Sequence, residues 1–209
     1  LCKAANHALD RESNVAFWVR GLPPAAWSHL TESSLEGSGQ THAVNLEGFS
    51  AGTRFGTDGS GGKYSSDPRL RRCGAGVAVV EASGTRFNVT GGLFATVSGE
   101  QTVPRAELTA VCLVLAVAQA AFITIVVDAT YILRGFRRGP RKQRLAANPD
   151  LWSRFWELLA ARGGPSTIEF VKIKSHLTPT EIAIGAAQRE DVALNEAADA
   201  FAAKAADSI

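Results

Sequence analysis

Ile123–Val127 reads ITIVV, five β-branched residues in succession. Side chains branched at Cβ crowd a helix and fit a pleated surface. A run with no charged position has no face to offer water, so it predicts a strand buried on both faces. Val103–Ala120, just before it, is rich in Ala, Leu and Val and long enough for a buried helix, with Pro104 suited to the first turn. A helix followed so closely by a doubly buried strand is how a parallel crossover is made. Upstream, strand-like segments at 53–58, 74–81 and 85–94, separated by Gly/Ser-rich turns, predict an antiparallel meander. Downstream, 130–136 reads as a short helix and 149–162 as an amphipathic helix stopped by Gly163-Gly164-Pro165. The 168–173 segment alternates as an edge strand would, and an alanine-rich helix closes the chain. The order βββαβαβα, antiparallel at its start and parallel at its finish, predicts a mixed-sheet α/β architecture.

Two hundred and nine residues suffice for one sizeable domain with an appendage, and 45% apolar with 20% charged residues describes an ordinary globular composition. Residues 1–50 differ in pattern from the rest and are set apart as a flanking segment or linker of unassigned role, leaving 51–209 as the domain. A net charge of +2 announces no nucleic-acid partner by itself, so local clustering matters more. Cys2, Cys73 and Cys112 are too few and too dispersed for a zinc cluster or a disulfide framework. The reading is a reduced, intracellular setting, with no apolar run long enough to span a membrane. The Asn88-Val89-Thr90 sequon has no secretion signal to accompany it. A start at Leu1 and the lack of any Met suggest a segment of a longer polypeptide.

Four acids could converge on one site. Asp58 ends the first strand of the meander, within RFGTDGSG. Glu107 lies about one turn into the long helix, Asp128 follows ITIVV directly, and Asp199 is on the last helix. Each has a plainer reading: an Asp-Gly turn, a dipole-complementing glutamate, a helix cap, a solvated helical acid. Two acids at the carboxyl ends of neighbouring strands nevertheless lie at the rim where α/β sheets bind ligands.

The series TDGSG, RAEL at a helix start, VVDATY, VKIKSH and NEAADAFA, colinear over about residues 52–207, resembles ribonuclease H of the type-1 family. The resemblance implies the RNase H-like fold, a five-stranded mixed sheet with helices on both faces. It also implies endonucleolytic hydrolysis of the RNA strand of RNA–DNA hybrids, with two Mg²⁺ ions (Mn²⁺ as a substitute) and no small-molecule cofactor. The family's acids fall on Asp58, Glu107, Asp128 and Asp199. Asp58 would bridge the ions, Glu107 and Asp128 serving one and Asp199 the other. The family's catalytic histidine falls on His176, in proton transfer or product release. Two such ions, roughly 3.5–4 Å apart, stabilise both the entering and the leaving oxygen of a phosphodiester.

Basic residues between positions 134 and 144, among them Arg137, Arg138, Arg141 and Lys142, occupy the place of the basic protrusion of several type-1 enzymes. They are expected to contact phosphates. Arg69, Arg71 and Arg72 form a second basic spot. Ser60, Gly61, Thr102 and Arg105 are candidates for hybrid backbone contact across the minor groove. Thr102-Val103 replaces the asparagine pair common in the family, and Ala129 stands where a serine often follows the third acid. Expected partners are an RNA–DNA hybrid and a reverse transcriptase domain in the same polypeptide, as in a retroelement. The alternatives are a catalytically decayed hybrid-binding module and another nuclease or recombinase of the same fold.

Overall fold

The computed structural model describes residues 39–68, 70–143, 146–175, 177–178, 180–181 and 184–208. Its elements are β1 (Thr41–Val44), α1 (Leu46–Ser50), β2 (Arg54–Ser60), β3 (Gly74–Ser83), β4 (Arg86–Thr96) and α2 (Val103–Val117). They continue with β5 (Ile123–Val127), α3 (Thr130–Arg138), α4 (Pro140–Gln143), α5 (Pro149–Ala161), a 3₁₀ turn (Pro165–Thr167), β6 (Ile168–Lys172) and α6 (Arg189–Asp207).

The six strands form one sheet in the order β1-β4-β3-β2-β5-β6. β1/β4, β4/β3 and β3/β2 pair antiparallel, whereas β2/β5 and β5/β6 pair parallel. The mixed sheet is therefore as expected, but it has six strands rather than five. The extra one, β1, comes from the 1–50 segment, and α1 follows it with Phe49 buried in the main core. All four residues of β1 are exposed, so no apolar alternation marks it; backbone pairing with β4 carries it.

ITIVV is buried at every position, as its composition requires. Ile123, Ile125 and Val127 join the core with α2 and α5, while Val126 faces the opposite cluster with Leu194 of α6, the alternation of a pleated strand covered on both sides. Trp152 and Phe155 of α5 are fully buried under the first face. On the second face the covering helix comes unusually close. A Cβ on Gly56, Gly74 or Gly76 would overlap the α6 backbone at Leu194, Ala202 or Ala198. Arg54 pins the start of α6, its Nη2 2.5 Å and its Nε 2.9 Å from Asp191 Oδ1. No described helix is long and apolar enough to cross a membrane.

Gly76→Ala should lower the denaturation free energy by about 1–3 kcal/mol, the usual cost of overpacking. The midpoint of urea unfolding measures this, and an unchanged midpoint would mean that α6 can ride outward freely.

Candidate active site

β2 and β5 run parallel up to the pair Thr57↔Val127. The residue after each is an aspartate, so Asp58 and Asp128 leave the sheet side by side at its carboxyl edge. β2 does not stop at Asp58, as its DGS sequence suggested. It runs on to Ser60, pairing Gly59 with Ala75 and Ser60 with Gly74 of β3. Pairing on one side only leaves the other side of this stretch open, and α2 fills it. A Cβ on Gly59 would stand 2.6 Å from the Glu107 backbone nitrogen and 2.9 Å from Ala106 Cβ. Only glycine permits that approach, and the approach delivers the third acid. Glu107 lies beyond the first turn of α2, which holds no acidic residue, so dipole complementation does not explain it.

One oxygen from each of Asp58, Glu107 and Asp128 lies within 4.8 Å of the others. Asp58 and Glu107 are buried and Asp128 is half-buried. Burial first, then the charges of Asp58 and Asp128, drive the Glu107 carboxyl up to about 10. Burial first, then the charge of Asp128, raises Asp58 from 3.8 to about 7, against the Gly59 N–H that donates to its Oδ1 at 2.7 Å. Asp199 adds to the rise of Asp58, yet it is exposed on α6 and outside the three-carboxylate group. It lines a neighbouring cavity of about 250 Å³ with Asn195, Lys174 and Thr178. His176 lies outside the described residues.

The cluster suits a hard divalent cation. All three donors are carboxylate oxygens, and Glu107 Oε2 is buried without a hydrogen-bond partner. An unpaired buried acceptor costs about 1–3 kcal/mol, which a cation in the cluster would remove.

The expected nucleic-acid contacts divide. Arg137 and Arg138 are exposed at the end of α3, and Arg141 and Lys142 are exposed on α4. Ser60 is half-buried, its hydroxyl accepting from Gly62 N at 3.2 Å. Thr102 holds the N-cap position of α2 without a side-chain capping bond. Gly61 is buried against Ser65 and Val103. The Arg105 side chain is engaged within the protein. Its guanidinium pairs with both Asp150 oxygens, at 2.9 and 2.5 Å, and donates to Ser98 O at 2.6 Å. It thereby ties the α2 start to the α5 start. Arg71 is likewise engaged, donating to Ser65 O at 2.7 Å, and Arg69 lies outside the described residues. The residues that sequence reasoning missed are Gly59 as the seat of α2, Asp150, and Ser175, whose hydroxyl donates to Asp128 Oδ2 at 2.6 Å.

A mixed sheet covered on both faces, with acids converging at the carboxyl edge of its parallel strands, defines an RNase H-like fold with a carboxylate site. The RNase H family pattern matches residues 53–207, and the chain belongs to that family. In structure it is similar to the PFV RNase H domain, with a TM-score of 0.54, 16% identity, and 74% of this chain and 94% of that one covered. It is also similar to a foamy viral protease-reverse transcriptase in complex with RNA/DNA hybrid, at TM-score 0.53 and 15% identity, covering 79% of this chain but 21% of that one. A mutant of the prototype foamy virus protease-reverse transcriptase gives TM-score 0.52 at 18% identity, with 84% and 22% covered. A comparison with curated proteins gives no match.

Without cation, Asp58 and Glu107 bind more protons folded than unfolded once pH passes the ordinary carboxylate values of 3.8 and 4.5. Their contribution to stability therefore falls as pH rises from about 4 towards about 7 for Asp58, and further for Glu107. In chelator, the melting temperature of Asp58→Asn should exceed that of wild type by a margin that widens across this window. A margin independent of pH would contradict the raised carboxyls.

Proposed function

We propose that this chain hydrolyses the RNA strand of RNA–DNA hybrids endonucleolytically, with divalent cations held by Asp58, Glu107, Asp128 and Asp199. The convergence of three carboxylates around an unpartnered Glu107 oxygen carries this reading, and membership of the RNase H family supports the substrate. Two Mg²⁺ ions bound there, with Mn²⁺ as a substitute, would supply charge stabilisation for the entering and leaving oxygens of the phosphodiester. The protein's own part is to hold the acids. Asp58, at the centre, would serve both ions, with Glu107 and Asp128 on one side and Asp199 on the other. His176 is assigned to proton transfer or product release.

Binding falls to two kinds of surface. Arg137, Arg138, Arg141 and Lys142 would meet phosphates without reading sequence. Ser60, Thr102 and the close-packed Gly61 would let an A-form backbone approach and engage its 2′-hydroxyls. Arg105, committed to Asp150, is left out of this set. The likeness to foamy viral chains that carry protease and reverse transcriptase supports a retroelement origin, with a reverse transcriptase domain in the same polypeptide. A hybrid-binding module that has lost catalysis is the competing reading, but the chain keeps every acid of the family's set.

With Mg²⁺ and a labelled hybrid, the protein should cut the RNA strand while sparing RNA and DNA duplexes, and Asp58→Asn should fall to the level of chelated wild type while still binding hybrid. Binding without cleavage in Mg²⁺ or Mn²⁺ would favour the decayed module. Replacing Arg137, Arg138, Arg141 and Lys142 with Ala should weaken hybrid binding and flatten its salt dependence by about 0.7–0.9 in log–log slope for each phosphate no longer neutralised. Anisotropy titrations at several salt concentrations check this, and an unaltered slope would remove the four residues from the interface.

A further inference from the structure

Asp128 has a difficult position within the cluster. It is half-buried just past the end of β5, with the Asp58 and Glu107 carboxyls on one side of it. What meets it is the Ser175 hydroxyl at 2.6 Å, a length expected of O–H donation to a carboxylate. Ser175 itself lies beyond β6, in a loop with no strand ladder to hold it.

Lys174 and Thr178, on either side of Ser175, share one carboxylate. Glu181 Oε1 accepts from Lys174 Nζ at 2.5 Å, and Oε2 accepts from both the backbone N–H and the hydroxyl of Thr178 at 2.9 Å each. The Glu181 N–H donates back to Thr178 Oγ1 at 3.3 Å, the reciprocal pattern of a capping box. Lys174 ahead of Ser175 and Thr178 beyond it are thus tied to the same acid, so the segment is clipped on both sides of the serine. The Lys174 ammonium first, then the Thr178 N–H, hold the Glu181 carboxyl down at about 2, so the clip stays charged at neutral pH. The same segment walls the cavity whose α6 side carries Asn195 and Asp199.

We propose that Ser175, presented by the Lys174–Glu181–Thr178 clip, is a positioning residue that fixes the Asp128 carboxylate for cation binding. The inference rests on the reading of Asp128 as a cation ligand. A hydroxyl on Oδ2 restricts rotation of the carboxylate and leaves the other oxygen free to turn towards Asp58 and Glu107. Partners of this kind, one step removed from the ion, orient ligands in metal sites generally.

Mn²⁺ titrations of the full chain, read by calorimetry and by melting temperature, test the proposal beside the Mn²⁺ dependence of hybrid cleavage. Ser175→Ala should raise the half-saturating Mn²⁺ concentration about tenfold, the lower end for loss of such a partner because the hydroxyl is exposed. Its melting temperature in chelator and its rate at saturating Mn²⁺ should stay near wild type. Ser175→Thr should restore the midpoint, and Glu181→Gln should shift it in the same direction by less. A merely structural role would lower the melting temperature in chelator and leave the midpoint in place, overturning the proposal. So would a Ser175→Ala titration that overlays wild type. Wild-type protein with no response to Mn²⁺ in any readout would overturn the cation reading and this inference together.

Discussion

Ionised carboxylates resist burial, and the effective cost of an unpaired one in a folded protein is several kcal/mol. This chain buries two, Asp58 and Glu107, and sets Asp128 against them within 4.8 Å. Among the described residues the cluster contains no basic side chain to balance it. Arg54 and Arg105 are spent elsewhere, on Asp191 and Asp150. Burial keeps protons on these two acids, and once they ionise around a cation the surrounding fold must hold them together against their own repulsion. It does so with backbone, through a parallel strand pair that fixes two of them and a helix pressed onto glycine that delivers the third.

The same device recurs on the other face. Gly56, Gly74 and Gly76 let the α6 backbone lie almost on the sheet, as Gly59 does for α2. Asp58 is the register partner of Gly76, and a Cβ on Gly76 would meet Ala198, the residue before Asp199. The glycine that seats α6 is thus directly across the strand pair from the central acid. A glycine beside Asp58 on each face removes the Cβ that would hold a helix away, which brings Glu107 into the cluster and places Asp199 on the helix seated across from it.

Much of this was legible in the residues, for physical reasons that can be named. ITIVV has the composition of a doubly covered strand. An acid at its end, beside another at TDG, pointed to the sheet rim, although a turn or a helix cap would also have explained each alone. The six-stranded sheet was less legible, because THAV pairs through its backbone with every side chain exposed. The pairing of Arg105 with Asp150 was not legible, because the two are 45 residues apart. Composition gives no sign of such a pair. The extension of β2 through Asp58-Gly59-Ser60 was hidden by glycine's low strand preference. In this chain the glycine serves a neighbouring helix rather than a turn. Ser175 stood within VKIKSH, but nothing in that motif marked it as the partner of Asp128, since a serine after a strand fits any loop.

The central claim is that the acids converge in order to hold divalent cations. Crystals of the chain soaked in Mn²⁺, with data collected at the manganese edge, address it most directly. The account predicts anomalous density among the oxygens of Asp58, Glu107 and Asp128, and a second peak between Asp58 and Asp199. Anomalous density only at other carboxylates, with the Asp58 cluster bare in fully soaked crystals, would contradict it.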